Sequence, residues 1–138
     1  MDGERGADAS AMSEVLVPFA ASSVRLARAR LTSWMDELGA GEGQRREDAA
    51  LVLSELLSNA LRHGRALDGE QLKVAWQWMR GHLEIAVTDG GGRTQPRVVA
   101  TSDHATGGRG MAIVDQLSDS WWRTIEGSDS TVHARLRL

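Results

Sequence analysis

The chain has 138 residues, sixteen of them basic and nineteen acidic, with a formal net charge of -3 and no cysteine. This length suits one domain, placed at residues 13–138 after a predicted disordered tail of small, charged and glycine residues over 1–12. The dispersed charge argues against nucleic acid as a direct partner, and the missing cysteines exclude disulfides and thiolate metal sites. Since no apolar run reaches the length of a signal peptide or membrane span, we expect a cytoplasmic protein without membrane contact.

Two helices are predicted in the first half of the chain. After a candidate strand over Glu14–Phe19, apolar residues at helical spacing predict a helix through about Leu38, with Ser22 or Ser23 as its N-cap. A polar linker follows, and the same spacing returns from about Glu47 to His63. Both helices have an apolar face that needs a partner.

In the middle of the chain the apolar residues change from helical spacing to every second position. Residues 72–79 and 83–87 alternate apolar and other side chains on either side of a short turn, which predicts an antiparallel hairpin. We interpret Trp76 and Trp78 as core residues rather than as ligand platforms. The two preceding helices are the available cover for this apolar face.

A long glycine-rich loop, a third helix and two strands complete the chain. The loop from Asp89 to Gly110 exceeds the usual connection of roughly 4–6 residues, which favours a functional role. A helix follows from Met111, and strands are predicted around 121–125 and 131–138. The order predicts an α+β fold: a two-layer sandwich whose mixed, mostly antiparallel sheet is covered on one face by helices.

The second helix carries two polar residues at the margin of its apolar stripe. In LVLSELLSNALRHG, Glu55 and Asn59 stand four positions apart and therefore share one helix face. An amide oxygen can ligate magnesium, and a carboxylate can accept a proton from a hydroxyl group. Taken alone, such a pair is more often a solvated helix boundary.

Two further segments carry chemistry that favours a nucleotide. In VTDGGG, Asp89 ends a strand and can accept a hydrogen bond from an exocyclic amine, although an ordinary Asp-Gly turn explains the same residues. In TGGRGMAIV, a glycine-rich turn enters a helix N-terminus, the usual place for a phosphate. Its late position in the chain disfavours a dinucleotide-binding parallel sheet.

The three segments together, in this order, resemble the successive ATP-binding boxes of the histidine-kinase-like ATPase (GHKL) superfamily, which has the Bergerat fold. The resemblance extends from about Glu14 through the closing strand STVHARLRL. The chain shows no phospho-accepting helix pair, sensor domain or membrane span. It is therefore most similar to the stand-alone anti-sigma factor serine/threonine kinases of bacteria, whose SEL-x-x-NA-x-RHG segment is close to Ser54–Gly64.

The resemblance implies a role for each matching residue. Asn59 would coordinate a magnesium ion that bridges the ATP phosphates, and Glu55 would be the catalytic base toward a serine hydroxyl of a partner protein. Asp89 would bind the adenine amino group, with Gly91 giving the base room.

The later boxes would hold the phosphates and close the site. Gly108, Arg109 and Gly110 would line the phosphates, and residues 93–106 would form a lid. Thr131, at the start of the last strand, would support adenine through a water.

The implied function is a partner switch with two macromolecular partners. The protein would phosphorylate an anti-sigma-factor antagonist and sequester a sigma factor, and homodimerisation is plausible by the same resemblance. Two departures leave alternatives open: the Asp89 box lacks the commoner proline, and Ala105-Thr106 carries no charge where some kinases of this family keep an arginine. One alternative is an ATP-binding docking protein without phosphoryl transfer, and another is an interaction domain without nucleotide.

Overall fold

The computed structural model describes residues 11–92 and 109–138, and it leaves out the side-chain environments of Arg109 and Gly110. Within these residues the strands and helices follow one another in the predicted order. The elements are β1 (Ala11–Pro18), α1 (Ser22–Leu38), α2 (Gly43–His63), β2 (Gln71–Met79), β3 (His82–Asp89), α3 (Arg109–Leu117), β4 (Ser120–Glu126) and β5 (Asp129–Arg137).

The five described strands form one sheet in the order β1-β2-β3-β5-β4. Every neighbouring pair is antiparallel, so the predicted α+β class is confirmed but the expected mixed sheet is wrong. The reason lies in the connection through α3, which brings the chain to the far edge as β4. The next strand, β5, then returns between β4 and β3 and runs against both. The β2–β3 turn has positive φ at Arg80 (52°) and Gly81 (84°), as a tight two-residue hairpin requires.

Helices cover one face of the sheet, and the core lies between the layers. Trp76 is 2% exposed there, and Trp78 packs against the same cluster, which confirms the interpretation of both as core residues. The largest fully buried side chains come from both layers, namely Trp76, Val17, Leu31, Met35, Val52, Leu53, Leu56, Leu57, Leu72, Leu83, Ile85 and Leu136.

The other face of the sheet is mainly polar. His133 of β5 stacks on Trp122 of β4, with ring centroids 4.9 Å apart and planes 4° apart. Glu84 of β3 lies 3.3 Å from the guanidinium of Arg135 on β5. Alternation along β5 therefore separates an apolar face that meets the helices from a polar face that does not.

The predicted tail reaches two residues too far. Ala11 and Met12 belong to β1 and pair with Trp78 and Gln77 of β2. Pairing with a neighbouring strand orders these residues although they bury little apolar surface themselves. The remainder of the predicted tail lies outside the described residues.

The expected serine cap of α1 is wrong. Ala21 occupies the N-cap position, and no side chain bonds to the first turn there. The Ser23 hydroxyl instead donates to the Pro18 carbonyl oxygen at 2.6 Å. This bond joins α1 to the end of β1, which explains why a serine is buried at this place.

The second helix begins earlier than predicted. It starts at Gly43 rather than at Glu47, within the segment that was expected to be a linker. The Arg45 guanidinium donates to the Arg137 carbonyl oxygen at 2.8 Å and to the Asp48 carboxylate at 2.7 Å. A contact with the last strand thus orders a first turn that has no apolar periodicity of its own.

No helix within the described parts of the chain combines the length and hydropathy that crossing a bilayer requires.

Core packing predicts that two leucines of the same helix contribute very differently to the free energy of unfolding. Leu57→Ala should lower the free energy of unfolding by about 2–5 kcal/mol, because it leaves a cavity in a close-packed layer. Leu51→Ala, at a side chain 41% exposed, should change it by about 0.5 kcal/mol or less. Urea denaturation of both variants measures this, and equal losses would contradict the placement of the core.

Candidate functional site

The helix α2 presents Glu55 and Asn59 at the edge of the core. Asn59 is only 8% exposed, whereas Glu55 is half-buried, and the side chains of Leu56 and Ala60 beside them are buried. Neither polar side chain makes a hydrogen bond with another residue in the described part of the chain. Both side chains therefore have polar atoms available to a ligand.

Asp89 ends β3 with its carboxylate buried, at 8% exposure of the residue. Its Oδ1 accepts a hydrogen bond of 2.7 Å from the Gly91 N–H group. Burial raises the pKa of Asp89 above its ordinary value of 3.8, and the Gly91 hydrogen bond and the positive charge of Arg123 oppose this rise. The arrangement leaves Oδ2 as an acceptor for an outside donor.

The end of α2 lies directly against this carboxylate. A Cβ atom added to Gly64 would stand 2.5 Å from Asp89 Cγ, so the two residues are in close contact. At about 1.5 Å of rise per residue, Asn59 lies roughly 7 Å and Glu55 roughly 13 Å from Gly64 along the helix. The fold thus places the end of the helix that carries Glu55 and Asn59 against Asp89.

Gly91 is required by its own turn. Its φ is +103°, and a Cβ there would lie 2.5 Å from the Ser128 carbonyl oxygen. The backbone alone therefore demands glycine at this position. Room for a base at Gly91 stays a prediction.

Thr131 is not brought together with Asp89. It pairs with Thr88, and their hydroxyl oxygens are 2.7 Å apart on the sheet face opposite the helices. Ser130, which pairs with Asp89 and is 5% exposed, lies on the helix-covered face with it. Ser130 was not predicted, although the alternation along β5 puts its side chain on the same face as that of Val132.

Arg123 of β4 is a second residue that the sequence reasoning missed. Its charge lowers the pKa of Asp89, and its Nε is buried without a hydrogen-bond partner in the described structure. The signal in the sequence is that Arg123 stands two residues after Trp121 in a strand, which places both side chains on the helix-covered face.

The phosphate side of the predicted site is not described. Gly108 and the predicted lid over 93–106 lie outside the described residues. Arg109 and Gly110 open α3, but their surroundings are likewise not described. Their predicted contacts with phosphate therefore stay predictions.

The sequence matches the family model of the histidine kinase-like ATPase domain over residues 17–136, a range that includes Glu55, Asn59 and Asp89. The chain belongs to the histidine kinase-like ATPase family. The predicted family is thereby confirmed, and membership in this ATPase family implies ATP as the nucleotide. A comparison with curated proteins gives no match.

A solved structure agrees with the fold of this histidine kinase-like ATPase domain. The chain is 22% identical to the RsbU and RsbW domains of Rv1364c from Mycobacterium tuberculosis, with a TM-score of 0.71 over 93% of its length. The match spans 32% of that longer chain. At this identity the likeness shows a shared fold.

The raised pKa of Asp89 predicts a pH-dependent difference between wild type and Asp89→Asn. Because the folded state binds the Asp89 proton more tightly than the unfolded state, this group stabilises the fold at low pH and loses that contribution as pH rises through the folded-state pKa. The free energy of unfolding of Asp89→Asn minus that of wild type should therefore increase as pH rises above 3.8. Urea denaturation at a series of pH values measures it, and a difference that falls with pH would contradict the buried carboxylate.

Proposed function

We propose that this domain binds Mg-ATP with Glu55 and Asn59 of α2 and Asp89 of β3, and that it is an anti-sigma factor with serine/threonine kinase activity. The observation that carries the proposal is the contact of the buried Asp89 carboxylate with Gly64, at the end of the helix that carries Glu55 and Asn59. Family membership supports ATP as the ligand. The structural likeness to a chain with an RsbW domain supports the regulatory role.

The residues at the end of β3 fit adenine. One carboxylate oxygen of Asp89 is already bonded to Gly91, and the other is available to accept the exocyclic amine. Ser130 lies on the same face and adds a hydroxyl group to this end of the site. A buried acceptor discriminates strongly between bases, because a base without the matching donor leaves the acceptor unpaired.

The residues on α2 fit a magnesium ion that arrives with phosphates. No cluster of three or more His, Asp or Glu side chains capable of holding a metal is found in 11–92 and 109–138. Asn59 offers one amide oxygen, whereas magnesium takes about six oxygen ligands. Phosphate oxygens and water would supply the others, and the bound ion would neutralise charge on the phosphates.

The position of Glu55 supports its proposed role in proton transfer. It stands one helical turn before Asn59 on the same face and is only half-buried, which suits a carboxylate that would meet a partner's hydroxyl. As the serine oxygen attacks the terminal phosphorus and ADP leaves, the hydroxyl proton would pass to the Glu55 carboxylate.

The proposed partners are a sigma factor and the antagonist that carries the phosphorylated serine. Phosphorylation of the antagonist would leave the protein free to sequester the sigma factor. Homodimerisation and a cytoplasmic location are parts of the same proposal.

A second candidate is an ATP-binding docking protein that transfers no phosphate. Its support is the lack of any hydrogen bond from a described residue to Glu55. A catalytic base is normally oriented by a neighbouring group, so an unrestrained carboxylate also suits a non-catalytic site.

Nucleotide titration tests the binding site. Asp89→Asn should weaken Mg-ATP by at least about tenfold, since a hydrogen bond to a charged group contributes about 1.5–3 kcal/mol. Asn59→Ala should abolish the strengthening of ATP binding by magnesium. Isothermal titration calorimetry measures both, with the exposed Asp68→Asn as control. A folded wild type that binds no ATP would refute the proposal and favour an interaction domain without nucleotide.

Phosphoryl transfer separates the two candidates. Glu55→Gln should leave Mg-ATP affinity unchanged and slow antagonist phosphorylation by about 10²–10⁴-fold, the usual contribution of a general base. The exposed Glu47→Gln on the same helix is the control. Mass spectrometry of the antagonist after incubation measures transfer. If wild type binds ATP but leaves the antagonist mass unchanged, the docking protein is the better description.

A further inference from the structure

We propose that Gly64 is a positioning residue for adenine recognition: its missing side chain creates the space in which the Asp89 carboxylate is held. This inference rests on the proposed function, because it assigns Asp89 to adenine. It also gives a functional reason for a glycine that the sequence marks only as the end of a helix.

The contact leaves no space for even a methyl group. A Cβ on Gly64 would overlap Asp89 Oδ2, lie 2.5 Å from Asp89 Cγ and lie 2.9 Å from the Ala60 carbonyl oxygen. Non-bonded carbon atoms rest about 3.5–4.0 Å apart, so the carboxylate would have to move.

Backbone conformation does not explain the glycine. Gly64 has φ -100° and ψ -171°, an extended conformation that any residue adopts. Alanine could therefore adopt these dihedral angles without strain. The requirement for glycine comes from the atoms that face it, and chiefly from Asp89.

The neighbouring residues hold the same contact from the other side. The Gly90 N–H donates to the Arg65 carbonyl oxygen at 2.7 Å, and a Cβ on Gly90 would lie 2.5 Å from the Ala66 carbonyl oxygen. The segment Gly64–Ala66 and the end of β3 are thus fixed against each other along their backbones. Since the backbones cannot separate easily, a clash at Gly64 would be relieved by rotation of the Asp89 side chain.

Rotation of the Asp89 side chain would change adenine recognition more than it would change the stability of the fold. The carboxylate would leave the place where Oδ1 accepts from Gly91 N–H and Oδ2 lies against Gly64. The fold would keep its core, because a side chain with two rotatable bonds can find another position. We therefore expect Gly64→Ala to lose adenine selectivity specifically.

The experiment measures dissociation constants of Mg-ATP, Mg-ITP and Mg-tripolyphosphate by calorimetry for wild type, Gly64→Ala and Gly43→Ala. ITP carries a carbonyl where ATP has the amine, and tripolyphosphate has no base. The control Gly43 lies in the first turn of α2 with no atom within 4 Å of an added Cβ.

Wild type and Gly43→Ala should prefer ATP over ITP. Gly64→Ala should lose at least about tenfold in ATP affinity and most of its preference over ITP, with tripolyphosphate affinity unchanged. An unchanged preference in Gly64→Ala, or a parallel loss for tripolyphosphate, would overturn the inference. A wild type that binds no ATP would overturn the proposed function and this inference with it.

A double-mutant comparison covers the case in which Gly64→Ala does not fold. Asp89→Ala removes the carboxylate that an added methyl would strike, so Gly64→Ala should cost much less stability in the Asp89→Ala background than in wild type. Urea denaturation of the four proteins measures this. Equal destabilisation in both backgrounds, or unfolding of the double variant alongside a folded Asp89→Ala protein, would show that the methyl acts on the backbone and would overturn the inference.

Discussion

The join between the end of α2 and the end of β3 is the contact on which the proposed site depends. The hydrogen bond from Gly90 N–H to the Arg65 carbonyl oxygen, at 2.7 Å, connects the two backbones directly after the helix and the strand end. Because β3 is the middle strand of the sheet and α2 packs on it, this join is supported by the core on both sides. It holds the segment after α2 against the segment after β3.

The site also shows how a core can carry polar groups at its margin. Ionisation of Asp89 costs the folded protein free energy, because burial disfavours the charged carboxylate. Its hydrogen bond from Gly91 and the positive charge of Arg123 offset part of this cost. The residual cost is of the kind that binding sites retain, since a preorganised acceptor needs no rearrangement when a donor arrives.

The spacing of apolar residues along the sequence predicts most of the fold. Helical and alternating spacing predict the order of elements and the burial of Trp76, because these patterns follow directly from which face must avoid water. The start of α2 is not predictable in this way, since the Arg45–Arg137 contact that orders its first turn joins residues 92 positions apart. Local patterns contain no information about such a contact.

The candidate site is predicted less completely than the fold. Glu55, Asn59 and Asp89 are proposed because their residue types and order match a known pattern. Thr131 is assigned by the same resemblance, whereas the strand pairing places its neighbour Ser130 beside Asp89. The role proposed for Gly64 depends on a distance between two chain segments, and no sequence pattern gives that distance.

The antiparallel register of β1 gives the domain a remote attachment point. Ala11 pairs with Trp78 beside the β2–β3 turn, at the end of the sheet opposite Asp89. Trp78 pairs in turn with Leu83, which is six residues before Asp89, so with a rise of about 3.4 Å per residue the two positions are roughly 20 Å apart along β3. The chain therefore enters β1 at the end of the sheet far from Asp89, and a tag, a fluorophore or a fused domain ahead of Ala11 would be attached through that end.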